Sequence, residues 1–172
     1  MKTINLLFVT AFLCLTFSFT ANAQSETKLG ALLAYGTEVE SIGIGANAEF
    51  PIVEKLTISP SLIYYFPKDE AGIKINWFEV NANANYYFLD EDGIGVYGIA
   101  GLNYSSVKVD YDDSAFGGFL DDYSASDGRF GLNLGGGANF NIGGSITPFA
   151  ELKYVIIDGG QLVIAGGIKF SI

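Results

Sequence analysis

The 172-residue chain is 49% hydrophobic but only 16% charged, which is too little charge for an ordinary water-facing surface and calls for a membrane or a large buried core. A net charge of −10 argues against nucleic acid as a partner, and the absence of histidine removes the commonest acid–base residue of enzymes. Glycine (22), Phe (14) and Tyr (10) abound while proline (4) is scarce, a balance that suits many glycine-bearing strands.

Residues 1–23 combine Lys2, an apolar stretch from Ile4 to Thr20 and the small-residue ending Ala21-Asn22-Ala23 before Gln24. That tripartite order predicts a secretory signal removed near Ala23, leaving a barrel domain of residues 24–172. The alternative, a retained anchor helix, is disfavoured because no basic stop-transfer cluster follows. Cys14 lies inside the leader behind Leu13, where a lipoprotein cysteine would follow a small residue; the mature chain then has no cysteine for a disulfide, thiol chemistry or metal. Past the leader no apolar run reaches 18 residues, so only strands could cross a membrane.

From residue 27 onward the sequence predicts eight alternating segments, at 27–36, 40–50, 55–66, 74–88, 94–106, 127–140, 146–156 and 161–171. In the second, Ile42, Ile44, Ala46, Ala48 and Phe50 oppose Ser41, Gly43, Gly45, Asn47 and Glu49. In the fourth, Phe78, Val80, Ala82, Ala84, Tyr86 and Phe88 oppose Glu79, Asn81, Asn83, Asn85 and Tyr87, a period of two that no helix can produce. Connections at Pro51 to Glu54, Leu89 to Gly93 and Asn141 to Ser145 read as tight periplasmic turns. The longest, Val107 to Ser126, reads as an outer loop. The expected fold is an all-β, eight-stranded antiparallel up-and-down transmembrane barrel.

Alternation would equally suit a soluble periplasmic barrel holding an apolar ligand, with its polar face outward. That face, however, is mostly Gly, Asn, Ser and Ala with isolated charges, which fits a narrow lumen better than a solvated exterior. The aromatic positions sharpen the choice: even strands end on Phe50, Phe88, Phe140 and Phe170, odd strands on Tyr35, Tyr64, Tyr104 and Tyr154. Up-and-down topology places these as two girdles at opposite membrane interfaces.

With the faces so assigned, Lys28, Glu49, Glu79, Arg129, Glu151, Lys153 and Lys169 point into the lumen, where they must pair. A salt-bridge network is expected, with Arg129 shared between carboxylates, either plugging the lumen or gating a narrow ion path. Catalysis by Glu49 and Glu79 is the weaker reading, and no catalytic, cofactor or metal site is assigned. In the outer loop, Asp112 and Asp113 interleave with Phe116, Phe119 and Tyr123, candidates for a surface protein partner; the acidic run lacks the glycine and terminal glutamate of a calcium-binding loop.

The leader, the eight segments and strand ends such as Tyr97-Gly98-Ile99-Ala100-Gly101-Leu102-Asn103-Tyr104 and Phe149-Ala150-Glu151-Leu152-Lys153-Tyr154 resemble the outer-membrane protein β-barrel domain family, similar in architecture to OmpX/OmpA-type barrels. The resemblance implies Sec-type export to a Gram-negative outer membrane, contact with its lipid and insertion machinery, and a non-enzymatic role in envelope structure and surface interaction. Family barrels often end on an aromatic residue; here the chain ends Lys169-Phe170-Ser171-Ile172, and Phe170 stands in for it.

Overall fold

The computed structural model describes residues 26–70, 73–91, 93–111 and 124–172, so the leader and Asp112, Asp113, Phe116, Phe119 and Tyr123 lie outside the described residues. Eight strands follow one another: β1 (Lys28–Gly36), β2 (Ser41–Val53), β3 (Leu56–Glu70), β4 (Ile73–Glu91), β5 (Ile94–Tyr111), β6 (Ser124–Phe140), β7 (Ile146–Ile156) and β8 (Gln161–Ser171). Each pairs antiparallel with the next, and β1 closes on β8 from Lys28↔Ser171 to Gly36↔Val163, giving a closed barrel. Closure leaves no sheet edge within the wall, the condition for strands to cross hydrocarbon.

The alternating pattern sets the faces. Leu33, Ile42, Leu62, Phe88, Leu102, Leu134 and Ile164 are exposed on the outer wall, while their neighbours of opposite parity are turned to the lumen. A soluble barrel is thereby overturned: the apolar face is the outer one. An eight-stranded lumen has room only for its own side chains. Gly137 shows how tight the fit is, because a Cβ there would lie 2.7 Å from the Tyr97 ring.

β7 and β8 span the predicted residues and β1 starts one residue later, while β2 to β6 run longer than predicted. β2 and β3 leave only Glu54 and Lys55 between them, with Lys55 at a φ of 66°, and Gly93 turns β4 into β5 at 105°. At the other end β3, β4, β5 and β6 have 15, 19, 18 and 17 residues, against 9, 11 and 11 in β1, β7 and β8. The predicted outer loop from Val107 to Ser126 is in fact partly strand, paired from Val107↔Asp127 up to Asp110↔Ser124. Its Asp and Ser content reads as loop, but pairing with the neighbouring strand holds the backbone in the sheet. The result is a four-stranded tongue standing above the rest of the wall.

Candidate functional site: the lumen and the two aromatic bands

The charges that the pattern sends inward meet in two layers. At the turn end, Glu49 Oε2 accepts from Lys169 Nζ at 2.7 Å, and Lys169 also donates to Asn139 Oδ1 at 3.1 Å. Asn139 Nδ2 donates to the Tyr87 hydroxyl at 2.7 Å, which donates to Glu49 Oε1. Glu49, Tyr87, Asn139 and Lys169 thus form a closed ring with one member from each of β2, β4, β6 and β8. Thr57 of β3 adds a donor to Glu49 at 2.8 Å. The Lys169 ammonium lies 4.5 Å from the Phe149 ring centroid and 5.2 Å from that of Tyr97, so aromatic faces supply further negative potential.

The second layer lies further up the lumen. Glu79, at 0% exposure, accepts from Gln161 Nε2 at 2.6 Å and from Lys153 Nζ at 3.5 Å. Asn81 Oδ1 accepts from Lys153 (2.9 Å), Asn103 (2.9 Å) and Asn133 (2.8 Å), tying β4 to β5, β6 and β7. Around this layer the lumen packs apolar side chains: Leu32, Ile63, Tyr65, Val155 and Val163 are buried together, Ile63 opposite Glu79 and Val163 opposite Lys153 in the register, with Val39, Trp77 and Ile157 packed against them. This apolar plug and the Glu79 layer fill the same stretch of lumen, and Gln161 Nε2 ties them together by also donating to the Tyr65 hydroxyl at 3.5 Å.

Four of the seven residues expected in a lumenal network are fully buried in these layers: Glu49, Glu79, Lys153 and Lys169. Glu151 sits apart, accepting from the Tyr97 hydroxyl at 2.8 Å. Lys28 stands at the turn-end mouth, where Glu26, Lys55 and Asp90 share a cavity of about 390 Å³. Arg129 requires a correction. It has lumenal parity, yet β7 ends opposite Leu132, so Arg129 lies above the closed wall and its Nε pairs with Asp127 at 2.9 Å. With side-chain exposures of 46% and 63%, that pair is worth little. Arg129→Ala is expected to move stability by less than about 0.5 kcal/mol in a urea titration, as for other exposed positions. Glu49 and Glu79 lie in different layers, each held by its own lysine, so they do not form a catalytic pair.

Tyr87, Asn81, Asn133, Asn139 and Gln161 complete the two layers; they share the inward parity but carry no formal charge, so charge alone does not single them out in the sequence.

On the outer wall, Phe50, Phe88, Phe140 and Phe170 are exposed at the turn end, and Tyr35, Tyr64, Tyr104 and Tyr154 toward the other. The sorting by residue type is looser than expected, since Phe66, Phe78 and Phe130 join the Tyr band and Tyr86 joins the Phe band. Both bands are therefore mixed, as interfacial burial favours any aromatic ring. Phe130 and Phe140 are ten residues apart on β6, roughly 33 Å along a strand. At a tilt of about 40° that is about 25 Å along the barrel axis, the height of an outer-membrane apolar band.

The sequence matches the outer membrane protein beta-barrel domain over residues 10–171. The chain belongs to this family. Solved structures agree in fold: the N-terminal β-barrel domain of Pseudomonas aeruginosa OprF (14% identity, TM-score 0.66) covers 87% of this chain and 98% of its own. A major outer membrane protein of Thermus thermophilus (10%, TM-score 0.70) covers 87% and 100%, and Yersinia pestis Ail (16%, TM-score 0.56) covers 84% and 97%. No curated protein sequence matches the chain. Membership of the outer membrane β-barrel family accounts for the apolar outer wall and for strands long enough to cross a bilayer.

Proposed function

We propose that this outer membrane barrel is a non-enzymatic, closed wall element that displays its long-strand end outside the cell for surface interaction. The observation that carries the reading is the contrast between the two ends. β3 to β6 rise well above the aromatic band around Tyr104, with Tyr111 seven residues further on, about 23 Å along a strand. The opposite end has tight connections. Family barrels place long connections outside and short turns in the periplasm. The tongue leads into Asp112, Asp113, Phe116, Phe119 and Tyr123, a mixture of carboxylates and rings suited to a protein partner.

The Ail structure solved with the heparin analogue sucrose octasulfate supports ligand capture as a task for small barrels of this fold. A chain with 19 acidic and 9 basic residues would repel a sulfated polyanion, however, so a basic or aromatic-binding protein surface is the better match here.

Deletion of residues 112–123 is expected to leave the barrel folded but to lower adhesion of cells displaying it to a protein-coated surface several-fold. Equal adhesion with and without these residues would sink the reading. Export is tested separately: N-terminal sequencing of protein from the membrane fraction should start at Gln24, whereas a start at Met1 would mean that the leader is retained.

The second reading, a narrow channel gated by lumenal charge pairs, gains no support from Arg129, which stands outside both layers. The apolar plug packed around Glu79 and Lys153 favours a lumen shut to ions.

A further inference from the structure

The outer wall carries a groove that belongs to neither the lumen nor the tongue. It has a volume of about 390 Å³ and is walled by Val80, Ala82, Leu102, Tyr104, Phe130 and Leu132, with Ile156 at its β7 edge. Phe130 beside it is 82% exposed, the highest value among the described large apolar residues. Two features of the sequence create the groove. Ala82 stands between Pro60 and Leu102 in the pairing register with almost no side chain, and β7 ends opposite Leu132, so no β7 residue pairs beside Phe130 on that side. The floor is formed by Asn81, Asn103 and Gly131, whose side-chain positions are turned to the lumen.

Position decides what covers the groove. It lies just inside the aromatic band formed by Tyr104, Tyr64, Phe78 and Phe130, hence against the hydrocarbon of the leaflet on the long-strand side. At about 30 Å³ for a group of water's size, it holds roughly a dozen methylenes. Below it the outer face continues through Ala84 paired with Ala100, a low stretch of wall for more of a chain, until the Phe88 ring covers Gly98. At its top, the Tyr104 ring packs on Phe130 with centroids 4.9 Å apart, and its hydroxyl leans over Gly128, where any side chain would collide with it. Among the described residues that hydroxyl donates to no protein atom.

We propose that the groove seats one acyl chain of an ester-linked membrane lipid, with the Tyr104 hydroxyl donating to the ester carbonyl at the interface. The apolar walls hold in place a chain that would otherwise move freely with the bulk lipid. The phenol fixes its depth.

The test uses the full chain, folded in a mild detergent with 1-palmitoyl-2-oleoyl-phosphatidylethanolamine or its diether analogue, and counts retained lipid by native mass spectrometry. Wild type is expected to hold one ester lipid per barrel and to retain it several-fold better than the diether. Ala82→Leu, which fills the groove with a side chain suited to lipid, should lower retention several-fold. Ala46→Leu, on the opposite wall and likewise exposed to lipid, should not. Tyr104→Phe should abolish the preference for ester over ether while the barrel keeps its folded migration on an unheated gel. Equal retention in Ala82→Leu and wild type, or equal loss in Ala46→Leu, would overturn the groove as the site. A wild type that retains ester and diether equally would overturn the contact with Tyr104. A dimer that Ala82→Leu dissolves would assign the groove to a second copy of the chain and also overturn the proposal.

Discussion

Glu49→Ala is expected to destabilise the barrel by about 3–5 kcal/mol, the cost of stripping one partner from a buried ion pair. Lys169 keeps the Asn139 side-chain carbonyl and two ring faces, but at 1% exposure its ammonium loses its counter-ion. The ring of hydrogen bonds also opens, leaving Tyr87 and Thr57 without their acceptor. Urea unfolding in lipid vesicles, followed by the single tryptophan, Trp77, measures the loss. The double variant Glu49→Ala with Lys169→Met should recover most of it, because removing both charges together leaves no orphan. A single-variant loss under about 1 kcal/mol would mean that the ring does not hold the four even strands together.

Tyr65→Ala is expected to have two effects that separate the apolar packing from the Lys153–Glu79 ion pair. Tyr65 is 0% exposed among Ile63, Val155 and Val163, so its truncation should cost about 3–5 kcal/mol, as for other large aromatic deletions from a packed interior. It should also convert a barrel silent in a planar bilayer into one that conducts, because the void opens the apolar packing that surrounds the Glu79 layer. Glu79→Gln keeps the volume of the side chain and should remain silent. The reverse result, with Glu79→Gln conducting and Tyr65→Ala silent, would place the barrier in the salt bridge and revive the gated-channel reading.

Much of the architecture is legible without coordinates. Period-two alternation over Phe78 to Phe88 and Ile42 to Phe50 determines strand, face and, by repetition eight times, a barrel. The same parity sends Glu49, Glu79, Lys153 and Lys169 inward, because a strand offers each side chain only two directions. What parity cannot say is how high a residue stands relative to its neighbours. That depends on the register and on where each neighbouring strand stops. Arg129 has the inward parity but no β7 beside it, so it faces water with Asp127. Val107 to Asp110 look like loop by composition, yet they are held in the tongue by pairing with residues 124–127. The ring of Glu49, Tyr87, Asn139 and Lys169 joins residues up to 120 positions apart, and only closure of β1 on β8 brings them to one level. The amino-acid sequence thus determined the wall and its two faces, through local alternation. Partners inside the wall, and the groove on its outside, were decided by register and strand length, which are properties of the closed barrel as a whole.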